Sequence, residues 1–274
     1  MLKQPIISAE QNTPHDAGDF NKDLETLANQ LFRNNLRTKT RYINSLLDMY
    51  QGAEQKDFLV IHSPGGWGNT EWEEVQDWEK SIVTGVTSTL RESGYSYYVT
   101  QYLRGVKRQW GHIVDVFRDL RFFSTGTNKR AIALAPGLKL IASYLPKTNI
   151  ILVAASQGAA FDNAVMRELG DTTNIYSMEL GTFFPYMKHR KITERTLVID
   201  NNGIIPDPMC ERDLGKGTKA YFRAFGKWAR FRIAGKKVKF TRCINTPGHE
   251  YNWDFPGVHT NIINFLNQKF AMKN

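Results

Sequence analysis

The chain has 274 residues, 41% hydrophobic and 23% charged, with 16 Phe, 11 Tyr and 6 Trp. Such a composition can bury a core large enough to offset its ordering entropy, which excludes disorder over most of the length, and no stretch approaches the roughly 18 apolar residues of a membrane span. The formal charge of +9 is local, because Leu214 to Arg242 holds ten Lys/Arg and no Asp/Glu while the rest of the chain sums to −1. Any electrostatic partner is to be sought in that segment.

The opening residues, MLKQPIISAEQNTPHDAGDF, read as a flexible lead-in without a long apolar stretch. No signal peptide or transmembrane segment is visible, and the expected location is cytoplasmic or unassigned. Two cysteines, Cys210 and Cys243, make neither a disulfide framework nor a zinc cage. Both are expected to be free thiols.

From Phe20 to Tyr50 apolar residues recur at spacings of three and four (Phe20, Leu24, Leu27, Leu31, then Ile43, Leu46, Leu47, Tyr50), a helical pattern that Asp19 or Asn21 would cap. Phe58–Ile61 is a short buried strand, followed by the breaker-rich loop His62–Gly68. A helix is predicted over about Glu71–Glu92 and a strand over Tyr95–Leu103. Helices follow near Ile113–Phe123 and Ala131–Tyr144. Asn149–Ala154 is the most apolar strand, with a helix leaving at once and running to Leu169. Further strands are predicted at Asn174–Leu180, Thr196–Asp200 and Val238–Ile244, and a last helix from Pro256 to Phe270. Apolar strands separated by helices, without sustained in–out alternation, predict an α/β fold with a mainly parallel sheet and helices on both faces. Chemistry in such sheets gathers at the carboxyl ends of the strands.

The sharpest local signal lies at one of those ends. In Ala154-Ala155-Ser156-Gln157-Gly158 a buried strand enters a tight turn of small residues with a serine at its apex and a helix beyond. The G-x-S-x-G elbow requires small residues two before and two after the nucleophile, and Ala154 and Gly158 stand there. A serine that merely caps the helix is the alternative. The order of partners favours catalysis. In α/β-hydrolases the acid and then the histidine follow the serine. With Asn149–Ala154 counted as the fifth strand, Asp200 and Asp207 follow the seventh, and His249 and His259 follow the eighth. Asp207 has the loop length to reach a histidine, with Asp200 as the alternative acid. His249 lies in a Pro-Gly loop suited to presenting an imidazole, with His259 as the alternative base. The Gln157 amide, together with Ser63 or Gly65 from the loop after the first strand, would form the oxyanion hole.

These motifs resemble a known family. Ala154-Ala155-Ser156-Gln157-Gly158-Ala159 is similar to the G-Y-S-Q-G-A elbow of cutinases and of phage mycolyl-arabinogalactan esterases. Asp207-Pro208-Met209-Cys210 is similar to the G-D-P-V-C segment that carries the cutinase acid. Gly248-His249-Glu250-Tyr251 and the helix after Phe255-Pro256 resemble the histidine loop of many α/β-hydrolases. The chain departs from the pattern where Gly203-Ile204-Ile205-Pro206 precedes the acid. The resemblance implies an α/β-hydrolase-type catalytic domain over residues 51–274 behind a helical extension over 1–50. It implies a serine esterase with a Ser156–His249–Asp207 triad, no cofactor and no metal, acting on an ester with an apolar or acyl moiety. Trp67, Trp72, Phe183, Phe184 and Trp253 suit such a substrate, and suit a core equally.

Two other functions stay open: acyl transfer on the same triad, and non-catalytic binding through the basic segment. Lys216, Lys219, Arg223, Lys227 and Arg230 form one helical stripe opposite Tyr221, Phe222, Phe225, Trp228 and Phe231. A solvated helix face is the preferred reading of that stripe, with an anionic membrane surface as the alternative partner. No specific nucleic acid is expected.

Overall fold

The computed structural model describes residues 17–33, 35–66, 68–105, 121–211, 226, 230, 231, 233–235 and 247–270, with the Ala17 and Phe184 side chains excepted. The predicted strand Val238–Ile244, Cys243 and most of the basic stripe lie outside these residues.

The helical stretch near the N-terminus is two helices, α1 (Ala17–Phe32) and α2 (Leu36–Ala53). The break falls at Asn35, whose side chain accepts the Thr38 N–H and caps α2. Asp19, expected as a cap, lies inside the first turn of α1, where a carboxylate suits the helix dipole. Then come β1 (Phe58–Ser63), α3 (Asp77–Glu92), β2 (Tyr97–Gln101), α4 (Lys129–Tyr144), β3 (Asn149–Ala155), α5 (Gln157–Leu169), β4 (Ile175–Leu180), β5 (Thr196–Ile199) and α6 (Pro256–Lys269). The helix expected from Glu71 is shorter, with a 3-10 turn at Trp72–Glu74 set apart from α3 by extended residues at Val75 and Gln76.

All strand pairs are parallel, in the order β2-β1-β3-β4-β5. This is the expected α/β architecture, a parallel sheet covered by helices on both faces. Asn149–Ala155 is the third of five strands among the described residues, not the fifth. The inner strands β1, β3 and β4 are buried on both sides, so successive residues feed opposite cores, whereas β2 is half-buried along its length. Leu59, Ile61, Ile150 and Leu152 join α1, α2, α4 and α5 in one core, whereas Phe58, Val60, Ile151 and Val153 join α3 and α6 in the other.

The N-terminal helices belong to the first core. Phe20 of α1 stacks on Tyr50 of α2 at 3.9 Å and meets Tyr144 of α4 edge-on at 5.2 Å. A Cβ at Gly52 would come within 2.2 Å of the Tyr98 ring, so α2 lies directly on β2. The described part of the segment expected as an extension over 1–50 thus shares its packing with the sheet, and α2 continues past that boundary to Ala53.

The chain passes from β1 outward to β2, then returns to β3 and proceeds to β4 and β5 on the other side. The crevice at the carboxyl ends of β1 and β3 is therefore the topological switch point, where ligands of open α/β sheets bind. Ser63 ends β1 in register with Ala154, two residues before Ser156.

Candidate active site

Ser156 stands between β3 and α5 with φ 57° and ψ −122°. A non-glycine residue rarely adopts that conformation, which costs about 1–3 kcal/mol and persists only where its surroundings impose it. Here they do. The Ser156 N–H donates to the Leu180 carbonyl at 2.8 Å, and the Ser156 carbonyl accepts the Ala160 N–H at 3.2 Å. The hydroxyl makes no capping hydrogen bond to α5, so the alternative of a helix-capping serine does not describe it. Crowding explains the small neighbours. A Cβ on Gly158 would lie 2.3 Å from the Ser63 carbonyl and 3.2 Å from the Ala154 Cβ. The methyl of Ala154 therefore fits where the sequence pattern asks for glycine, while Gly158 has no such room.

The opposite loops carry the acid and the base. Asp207, fully buried, accepts from His249 Nδ1 at 2.7 Å through its Oδ2. A carboxylate only accepts, so the ring donates from Nδ1, and in the neutral imidazole Nε2 keeps its lone pair. The same Oδ2 accepts the Tyr251 hydroxyl at 2.6 Å and the Cys210 thiol at 3.2 Å, and Oδ1 accepts the Met209 N–H at 2.8 Å. Burial pushes the Asp207 carboxyl up, yet the donors from His249, Tyr251 and Cys210 outweigh it and hold the group below its ordinary range. Burial beside this carboxylate pushes both the Cys210 thiol and the Tyr251 phenol well up, so both remain protonated donors.

Asn202 joins the two loops. Its buried amide donates to the carbonyls of Gly248 and Glu250, on either side of His249, at 3.1 and 2.9 Å. Its oxygen accepts the N–H groups of Ile204 and Ile205 at 2.9 and 3.0 Å. Both donors and the acceptor of that amide are used.

The alternative acid and base are held elsewhere. Asp200 accepts from Arg190 Nη1 at 2.6 Å. Arg190 also meets Glu179 Oε2 at 3.4 Å, and Glu179 takes further donors from Asn163 and Ser177. Burial pushes the Glu179 carboxyl up to about 7 despite those partners. His259 is exposed on α6 with its ring 4.9 Å from Trp253, whose indole lies over Gly85 of α3.

The loop after β1 differs from expectation. The Ser63 hydroxyl donates to buried Asp162 Oδ1 at 2.6 Å, and the Gly65 N–H donates to Glu79 Oε1 at 2.8 Å. The Ser63 hydroxyl and the Gly65 N–H, two of the groups expected near an oxyanion, are thus engaged, and Gln157 stands at the amino end of α5. Glu79 also accepts from His62 Nε2 at 3.0 Å, while His62 Nδ1 receives the Gln101 amide at 3.3 Å.

Arg104, which carried no sequence signal, ties this loop to the elbow. Its guanidinium donates to the Gln157 carbonyl at 2.9 Å, the Gly66 carbonyl at 3.0 Å and the Pro64 carbonyl at 2.5 Å. It also lies 5.2 Å over the Phe161 ring. The peptide between Pro64 and Gly65 is held at its oxygen by this cation and at its N–H by Glu79.

Of the aromatic residues expected near a substrate, Trp72 packs edge-on against His62 at 5.6 Å and Phe183 against Phe123 at 5.2 Å. Trp67 and the Phe184 side chain lie outside the described residues. Of the basic stripe only Arg230 is described, and it is exposed. Among the described residues no cluster of His, Cys, Asp and Glu could hold a metal ion, and no helix is long and apolar enough to cross a membrane.

The sequence matches no protein-family model and no curated protein. Among solved structures the chain is similar to a Trichoderma reesei cutinase in complex with a C11Y4 phosphonate inhibitor, with 13% identity over 92% of each chain and a TM-score of 0.43. It is also similar to a cutinase-like protein from Cryptococcus sp., with 14% identity over 80% of this chain and 97% of that one and a TM-score of 0.40.

Proposed function

We propose that the protein is a serine hydrolase that cleaves carboxylic esters through Ser156, His249 and Asp207. The observation that carries this reading is the Ser156 elbow: a serine in a strained conformation, its hydroxyl unused by the helix it precedes, at the switch point of a parallel sheet. The Asp207–His249 pair at 2.7 Å supports it with an oriented base.

In the proposed reaction Ser156 Oγ attacks the ester carbonyl carbon while its proton passes to His249 Nε2. The negative charge on the former carbonyl oxygen is met by the Gln157 N–H and the amino end of α5. The tetrahedral adduct collapses, the carbon–oxygen bond to the leaving alcohol breaks, and His249 returns the proton to that alcohol. Water then attacks the acyl-enzyme by the same route, releasing the acid and restoring the serine. Among the described residues no hydrogen bond reaches the Ser156 hydroxyl, and in ligand-free enzymes such bonds are often long and close only with substrate. Asp207 stays ionised throughout, because its donors favour the carboxylate. The proposed substrate is an ester with an apolar or acyl moiety.

A fluorophosphonate probe with mass mapping tests the reading directly. Labelling is expected on Ser156, with Ser156→Ala folded and inactive on a short p-nitrophenyl ester. Unchanged turnover in the folded Ser156→Ala variant would end the proposal.

A further inference from the structure

A bare Asp–His pair would explain the orientation of His249, yet Asp207 is more heavily served than orientation requires. Its Oδ2 alone receives His249 at 2.7 Å, Tyr251 at 2.6 Å and Cys210 at 3.2 Å. The Tyr251 bond is the shortest of the three, and the tyrosine side chain is fully buried. Burying a phenol hydroxyl without a partner is costly, so this hydroxyl is committed to that carboxylate.

Tyr251 follows His249 by two residues in the loop that Asn202 clips at Gly248 and Glu250. The two rings lie 6.1 Å apart and nearly perpendicular, so they approach one carboxylate oxygen from different directions. The tyrosine is itself fixed, because a Cβ on Gly181 would come within 2.5 Å of its ring. Around Asp207 stand His249, Tyr251 and Cys210, and Asp200 lies on the far side of the Cys210 sulfur at 4.0 Å. From α3 comes the neutral ring of Trp78, 6.5 Å from His249 and 6.3 Å from Tyr251.

We propose that Tyr251 is a positioning residue of the acid–base pair, which shares the Asp207 carboxylate with His249 and thereby limits how strongly that carboxylate holds the positive imidazolium. This inference rests on the triad reading above. A carboxylate oxygen that accepts a second strong hydrogen bond has less electron density to offer the first. The imidazolium formed when Ser156 gives up its proton is then stabilised enough to form and loosely enough to return the proton to the leaving alcohol. With the phenol removed, His249 becomes the dominant donor to Oδ2 and its bond to Asp207 tightens.

Tyr251→Phe removes only the hydroxyl. The ascending limb of the pH–rate profile is expected to move to higher pH by about half a unit, since the lost bond is present in both protonation states and only part of its strength is differential. The plateau kcat is expected to fall roughly threefold to tenfold with KM little changed, as for a group acting on the transition state. In proton NMR of the full chain, the downfield Nδ1–H resonance, assigned by its loss in His249→Gln, is expected to move further downfield. Cys210→Ala should move both readouts the same way by less, and serves as the second variant if Tyr251→Phe folds poorly. Site-specific 3-fluorotyrosine at position 251, a stronger donor, should move both in the opposite direction. A tyrosine that merely fills space would leave limb and resonance in place, and that result overturns the proposal. The NMR readout needs no turnover, so a wild-type protein inactive on esters would count against the triad and not against this role of Tyr251.

Discussion

The two halves of the candidate site are stiffened by different physics. The elbow half, from Ser63 to Gly66 and Ser156 to Asp162, relies on backbone crowding: small residues pressed together, one strained serine, and buried side chains that hold peptide groups. The acid–base half, from Asn202 to Cys210 and Gly248 to Tyr251, relies on converging polar groups, with one carboxylate taking four hydrogen bonds and one amide tying two loops together. The first arrangement sets where the serine points. The second sets the strength and direction of a proton acceptor. Apart from the serine itself, a substitution in the first half should therefore appear mainly as lost fold stability, and one in the second mainly as lost rate.

The largest expected effect tests the acid–base half. Asp207→Asn should lower kcat by about 10⁴-fold, since the amide presents donors where His249, Tyr251 and Cys210 already donate. Urea denaturation should find the variant folded. Asp200→Asn, which removes a partner of Arg190, should leave turnover near wild type, and steady-state hydrolysis of a p-nitrophenyl ester measures both. A loss carried by Asp200→Asn instead would reassign the acid.

Gly158→Ala should show the contrast from the elbow side. The new methyl would lie 2.3 Å from a backbone carbonyl, which cannot swing aside as a side chain can. Destabilisation of about 3 kcal/mol is expected in a urea melt, at the upper end for overpacking. A melt that does not move would mean the elbow is less crowded than its geometry implies.

The smallest effect concerns the seam between the halves, where Glu179 and Arg190 lie under the end of β4. The Glu179 carboxyl rises from 4.5 to about 7 on folding, so the native state binds its proton more tightly than the unfolded chain. Its contribution is therefore full below about pH 4.5 and fades as pH rises through about 7. By linkage the swing is on the order of 3 kcal/mol at most, the pairing with Arg190 already included. Urea midpoints from pH 5 to 8 should fall with pH in the wild type and flatten in Glu179→Gln. A parallel decline in both would assign the dependence to other groups.

The same contrast explains what was legible in the sequence. The elbow is a local pattern, so Ala154, Ser156 and Gly158 stood out from residue size alone. Strands β1 and β3 were visible because a strand buried on both faces is mostly apolar, and β2, β4 and β5 because their apolar and aromatic residues lie between turn-forming segments. Asp207 and His249 were found from loop order and reach. Their supports were not legible, because each joins segments far apart in the chain: Arg104 and Gln157 are separated by 53 residues, Asn202 and Glu250 by 48, and Asp207 and Tyr251 by 44. Nothing local marks Arg104 as a clamp or Asn202 as a clip. The partners of the Ser63 hydroxyl and the Gly65 N–H were not legible for the same reason. Glu79, on a different helix, takes the Gly65 N–H, and Asp162 takes the Ser63 hydroxyl.

The stacked aromatics of α1, α2 and α4 bear on how the chain is made. Phe20 and Tyr50 emerge from the ribosome well before Tyr144, which closes over both rings from a helix that begins only at Lys129. At about 5–20 residues per second the first two helices wait several seconds or longer with their apolar faces bare. The parallel sheet beneath them is no quicker to form, since β1 lies between β2 and β3 and its second neighbour is translated much later than the first. During synthesis α1 and α2 thus depend on a helix made much later for part of their cover.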